Sequence, residues 1–186
     1  MEVIAVSSDA KSQWNAFVRA HYPPVGAFMQ TWEWGAFQHA LGRNAERFFV
    51  ASGGEPIAAF TLTNHALPAG HSYGYAARGP VIATAHASES GKVRAVLSAI
   101  RTWVRVYAPR AIFVRLEPPI PALPADIGTH GFLVPPYYIQ PRFNHAIALG
   151  KPETDIAAGF HPSTRSNLQR AEKRGVTVAM KTVLAP

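Results

Sequence analysis

The chain has no cysteine. That excludes disulfide scaffolds, thiolate metal sites and a cysteine nucleophile together. Charged residues are sparse at 16%, and acidic ones scarcer still, with 11 Asp plus Glu against 18 Lys plus Arg. No apolar run approaches the roughly 20 residues that cross a bilayer, and MEVIAVSSDAK lacks the basic segment and apolar block of a secretory signal. Cytoplasmic residence is therefore the default expectation. There is no Walker loop, no H-E-x-x-H and no Ser-His-Asp order. The eight histidines are scattered, with none set four residues from another on a helix beside a carboxylate, so no metal is expected. Internal repeats and low-complexity tracts are absent as well.

What is present is an ordinary globular composition, 48% hydrophobic over 186 residues. That is enough for one domain and a piece of another. The net charge of +7 fits an anionic partner, whether RNA, a nucleotide-linked substrate or an anionic membrane surface, although small basic proteins need no such partner. The charge is uneven: between His161 and Lys181, Arg165, Arg170, Lys173, Arg174 and Lys181 face Glu172 alone.

Periodicity orders the elements. Glu2 to Val6 alternates as an opening strand. Trp14, Phe17, Val18 and His21 share one helical face, closed by Pro23-Pro24. Thr31 caps a second helix, Trp32 to Leu41, whose Trp34, Phe37 and Leu41 share a side. Arg47 to Ser52 and Ile57 to Thr63 read as a hairpin about Gly53-Gly54, with apolar runs that suit strands covered on both faces. Tyr73 to Ala76 is the next strand. The longest helix, Ser88 to Tyr107, is expected to bury Val93, Val96, Leu97, Ile100, Val104 and Tyr107, and leads to a strand at Ala111 to Leu116, a crossover arrangement. Arg115 and Glu117 lie at that strand's C-terminal end, where α/β sheets commonly bind ligands. Further strands are expected at Phe132 to Tyr138 and Asn144 to Leu149, with a short helix at Ala125 to His130 between the long helix and them. A helix from about Glu153, a basic helix capped by Ser163 and stopped by Gly175, and a strand from Val176 to Lys181 complete the expected order.

Arg165 stands out because a cation in a helix's first turn opposes the dipole by roughly 0.3–1 kcal/mol. Either its tip reaches away into solvent, or Arg165, Asn167 and Arg170 meet a phosphate or carboxylate.

The segment QPRFNHAIAL followed by TRSNLQRAEKRGVTV, with QTWEWGAFQHALG and YAARGPV upstream, resembles the Fem family (FemAB/FemX type) of aminoacyl-tRNA-dependent peptidoglycan peptidyltransferases. The resemblance covers most of the chain but only the first part of the family's length. It implies an α/β (α+β) fold, a GNAT-like mixed sheet flanked by helices over residues 1–149, and the beginning of an incomplete second GNAT-like unit over 150–186. It also implies transfer of an amino acid from aminoacyl-tRNA, used as co-substrate without a further cofactor, to the peptide of a lipid- or nucleotide-linked muropeptide, with peripheral contact at the inner membrane face and no DNA. Trp34, Gln38, Tyr75, Arg78, Arg165, Asn167 and Arg170 are the substrate-binding residues it points to; catalytic residues stay unassigned. Two departures stand against the family's pattern. Gln38 replaces a lysine, so it can bond a phosphate without carrying charge, and Ala77 replaces the proline before Arg78. For Tyr75 and Arg78 the plain alternative is a strand-end tyrosine and a surface arginine. Two other functions remain open: a non-catalytic basic module binding RNA or a wall precursor, and a CoA-dependent GNAT N-acyltransferase. The latter lacks its usual pyrophosphate loop, because TAHASESGKVR before the long helix has no glycine pair.

Overall fold

Gly53 and Gly54 both adopt positive φ, 62° and 86°, the conformation that turns a chain back in step with the twist of its strands. In the computed structural model, which describes residues 1–23, 27–141 and 146–179, they join β2 (Asn44–Ser52) to β3 (Glu55–Ala66). β1 (Glu2–Ala5) pairs antiparallel with the outer side of β2. β4 (Ser72–Ala76) pairs antiparallel with β3, and the two-residue β5 (Val81–Ile82) pairs with β3 further along. β6 (Ala111–Leu116) lies parallel to β4 and is reached through α3 (Ser90–Tyr107), as a crossover requires. The order across the sheet is β1-β2-β3-β4-β6, with β5 beside β3.

Alternation along β2 and β3 splits the core in two. Phe48, Val50, Phe60 and Leu62 face α3, meeting its Val93, Val96, Leu97 and Ile100. Phe49, Ala59 and Val81 face α1 (Lys11–His21), meeting Trp14, Val18 and Tyr22. Both faces of these strands are covered, which is why their sequences read as continuous apolar runs. Trp14 is fully buried and its indole N–H donates to the carbonyl of Gln30 at 2.7 Å, so its one polar atom is satisfied.

Helix α2 (Trp32–Ala40) starts where expected, with Thr31 accepting from the Trp34 N–H at 3.3 Å. The side that Phe37 and Leu41 share is about half exposed, and the helix buries Gly35 and Gln38. The cause is Arg47. Its guanidinium sits 3.8 Å above the Trp32 ring and donates to the Trp32 carbonyl at 2.6 Å. A Cβ on residue 35 would lie 2.3 Å from Arg47 Nη2, so the helix docks through a bare backbone position and turns its aromatics outward.

The expected strand at Phe132–Tyr138 does not form; the segment is irregular. Pro135 and Pro136 remove two adjacent N–H donors from any ladder there. Of the expected strand Asn144–Leu149, residues 146–149 are irregular, and the rest lies outside the described residues. The same holds for Val176–Lys181, where 176–179 are irregular. The short helix expected at Ala125–His130 is a 3-10 turn over Ile127–His130, ended by Gly131 at positive φ.

The chain divides into two compact units, Met1–Phe143 and Asn144–Pro186. The second contains α4 (Glu153–Ala158) and α5 (Pro162–Lys173), the basic helix. Its cap is His161 rather than Ser163: the ring Nδ1 accepts from the Ser163 N–H at 3.3 Å, with Pro162 at the first helical position. No helix among the described residues is long and apolar enough to cross a membrane.

Candidate functional site

β4 and β5 both pair with β3, but residues 77–80 between them leave the ladder. Tyr75 is opposite Thr63 and Val81 opposite Ala59, so Thr61 has no strand partner on that side. Gln30 fills the gap. Its Oε1 accepts from the Thr61 N–H at 2.9 Å and its Nε2 donates to the Ala77 carbonyl at 2.6 Å. A side-chain amide thus stands in for the missing peptide unit, and Gln30 is fully buried in doing so. A Cβ at Gly79 would lie 2.7 Å from that Nε2, so the turn needs glycine there. Within the turn Arg78 adopts φ 55°, a left-handed conformation rare for a residue with a side chain, and the Gly79-Pro80 bond is cis.

Beside this turn the parallel pair β4 and β6 ends. The Glu117 N–H donates to the Gly79 carbonyl at 2.8 Å, tying the turn to the end of β6. The Glu117 carboxylate accepts from the Tyr75 hydroxyl at 2.6 Å and from Arg115 Nε at 3.0 Å. Arg115 and Glu117 side chains are 14% and 10% exposed, so this ion pair is largely withdrawn from solvent. Burial first, and then the bond to Glu117, push the Tyr75 phenol well above its ordinary range. Tyr75 therefore stays a donor at physiological pH. Burial likewise pushes Tyr22 up to about 12.

A strap, Tyr137 to Pro141, crosses these groups. Arg115 Nη2 donates to the Tyr137 carbonyl at 2.7 Å, the Ile139 N–H donates to Glu117 at 3.1 Å, and Arg78 Nη2 donates to the Pro141 carbonyl. Gln140 Nε2 reaches the Tyr75 hydroxyl at 3.3 Å. Strand alternation places Tyr73 and Phe113 on the same sheet face as Tyr75 and Arg115, and there His65, Tyr73 and Phe113 stack in a row, with ring centroids 4.7 and 5.1 Å apart. Phe113 at the end of the row is half exposed. Two shallow grooves, about 480 Å³ between β1 and α3 and about 270 Å³ between α2 and β2, touch none of these residues.

Of the residues singled out from sequence, Tyr75 and Arg78 come together here, joined by Arg115 and Glu117. Trp34 is part of a separate aromatic group on α2 with Phe28 and Phe37, at 5.3 and 5.4 Å. Gln38 is buried and its Oε1 accepts from Arg43 Nη1 at 2.8 Å, so its amide is already engaged within the fold. Arg165 takes neither of the two courses foreseen for it. Its Nη1 donates to the carbonyls of Ala158, at 2.9 Å, and of Phe160. Those are the carbonyls at the end of α4, where a cation complements the dipole; the charge misplaced on its own helix is well placed on the neighbouring one. Asn167 and Arg170 are exposed on α5.

Arg165→Ala is accordingly expected to reduce the helicity and protection of α4, at a cost of about 0.5–1.5 kcal/mol for exposed hydrogen bonds of this kind. Hydrogen exchange at 156–160 measures it; unchanged exchange there would return Arg165 to a solvated surface role.

Sequence reasoning missed Gln30. Nothing in its spacing marks it, because its partners lie 31 and 47 residues away. The strap was equally hidden, since its contacts use main-chain atoms that carry no sequence signature.

A mixed sheet with one parallel pair ending beside a broken neighbouring strand, and helices on both faces, is a GNAT-like acetyltransferase fold. A putative acetyltransferase from Agrobacterium tumefaciens str. C58 shares it, at 19% identity and TM-score 0.50, over 77% of this chain and 100% of that one. The crystal structure of FemX matches with 23% identity and TM-score 0.60, covering 94% of this chain; the present chain spans 44% of the FemX chain. The FemAB family model matches residues 10–130, and the chain belongs to that family. No curated protein matches it.

Proposed function

We propose that the chain is the precursor-binding portion of a Fem-type aminoacyltransferase, which moves an amino acid from aminoacyl-tRNA to the peptide of a lipid- or nucleotide-linked peptidoglycan precursor. The observation that carries this reading is Arg78. It belongs to the family's matched region, sits on the turn beside the C-terminal end of the β4–β6 pair, and has its turn held in an uncommon conformation by a buried glutamine. A guanidinium so placed can donate to carbonyl or carboxylate oxygens of the acceptor's peptide.

An aminoacyl ester is already activated. Attack by a peptide amine forms the amide and expels the tRNA hydroxyl, so what this portion supplies is alignment of the acceptor rather than activation. Tyr75, held protonated, and Arg115 add donors near the same spot. The CoA-dependent alternative fits less well. The helix entered after β5, where a pyrophosphate would lie, is α3, and its N-cap is Glu89, a carboxylate paired with His86 at 2.9 Å. Negative charge at that position repels a pyrophosphate.

The test is calorimetric binding of a nucleotide-linked muropeptide, followed by assay for transfer when charged tRNA is added. Binding should be present and should weaken by about 1–3 kcal/mol in Arg78→Ala if that arginine makes a charge-assisted bond to the ligand. No binding by the wild-type chain, or protection by acetyl-CoA instead, would defeat the proposal.

A further inference from the structure

We infer that the strap Tyr137–Pro141 occupies a site that recognises peptide backbone, and that a short peptide can take its place; that the natural occupant is the acceptor's peptide rests on the function proposed above. Three hydrogen bonds run from a side chain to the strap's main chain, and the Arg115 guanidinium also lies 5.5 Å from the centre of the Tyr137 ring. Arg115 takes the carbonyl of residue 137, Glu117 the N–H of 139, and Arg78 the carbonyl of 141. A fourth hydrogen bond, Gln140 to Tyr75, uses a strap side chain. Donor, acceptor, donor is the complement of a peptide and not of a phosphate, because the carboxylate in the middle repels an anion and needs an N–H.

The two sides of the contact differ in how firmly they are held. Arg115 and Glu117 are nearly buried and paired at 3.0 Å, and Arg78 stands on the turn fixed by Gln30. The strap has no regular secondary structure, and its Tyr137 and Ile139 side chains are 66% and 51% exposed. Little apolar burial anchors it, so a preformed receptor holds a loosely attached occupant.

The test uses the full chain and a fluorescein-labelled acetyl-Tyr-Tyr-Ile-Gln-Pro-amide, the strap's own sequence, followed by anisotropy. The wild-type chain should bind it weakly, since the tethered strap competes at an effective concentration on the order of mM. Ile139→Pro removes the N–H that Glu117 accepts and should free the site, tightening capture of the peptide at least tenfold. Adding Arg78→Met should reverse most of that gain. Gln140→Gly loosens the strap by backbone freedom and by loss of its bond to the Tyr75 hydroxyl, and serves if Ile139→Pro disturbs folding as seen by circular dichroism. Equal affinity across wild type, the strap variant and the double variant overturns the inference, as does weaker capture by the strap variant. The muropeptide separates this from the broader function. If it binds the wild-type chain while the strap peptide gains nothing in either strap variant, the strap inference fails alone; peptide capture without muropeptide binding defeats the function alone.

Discussion

Gln30→Ala should destabilise the first unit by about 2–5 kcal/mol, measured by urea denaturation. The side chain is fully buried and satisfies two buried backbone groups, the Thr61 N–H and the Ala77 carbonyl. Each such group left unpaired costs about 1–3 kcal/mol, and the small residue also leaves a void. Against a total stability of about 5–15 kcal/mol this is a large share. Gln30→Glu should be comparably harmful, because a carboxylate keeps the acceptor for Thr61 but turns lone pairs toward the Ala77 carbonyl. Variants as stable as the parent would show that water can replace the amide, and that the turn carrying Arg78 does not depend on it.

Glu117→Ala is the second substitution with a large expected effect, about 3–5 kcal/mol. It strands the Arg115 guanidinium, whose side chain is only 14% exposed, and deprives the Tyr75 hydroxyl of its acceptor. Breaking one half of a withdrawn ion pair is costly because an uncompensated charge remains. The control is the double replacement Glu117→Leu with Arg115→Met. It removes both charges and should recover most of the loss, since a buried pair is often no more stabilising than apolar groups of similar size. Loss of Glu117 also detaches the strap at Ile139, so chymotryptic cleavage at Tyr137 should speed up. If the double variant is as unstable as Glu117→Ala, the charge argument is wrong and the bond to Tyr75 is what matters.

The parts of this fold written in local pattern were legible. The Gly53-Gly54 hairpin, the Thr31 cap and most of the stripe of α3 follow from rules acting over a few residues and stand where the sequence put them; Tyr107, read as part of that stripe, is 40% exposed at the helix's end. Tyr75 and Arg78 were legible through family motif, and their neighbours Arg115 and Glu117 through position at a strand end. What failed was long-range or depended on a single competing contact. Which face α2 buries is decided by Arg47 packing on Gly35 and Trp32, a contact that no helical wheel contains. Arg165 was judged against its own helix, whereas its partner is the end of another. The strand read at Phe132–Tyr138 weighed apolar content and passed over Pro135-Pro136, which cannot donate to a ladder.

The plug in the broken strand is a neutral carboxamide, with no proton to gain or lose between strong acid and strong base. The amide plug therefore holds the turn that carries Arg78 in the same way across that range. Whatever pH does to ligand capture here, it does not act through the piece that holds the turn.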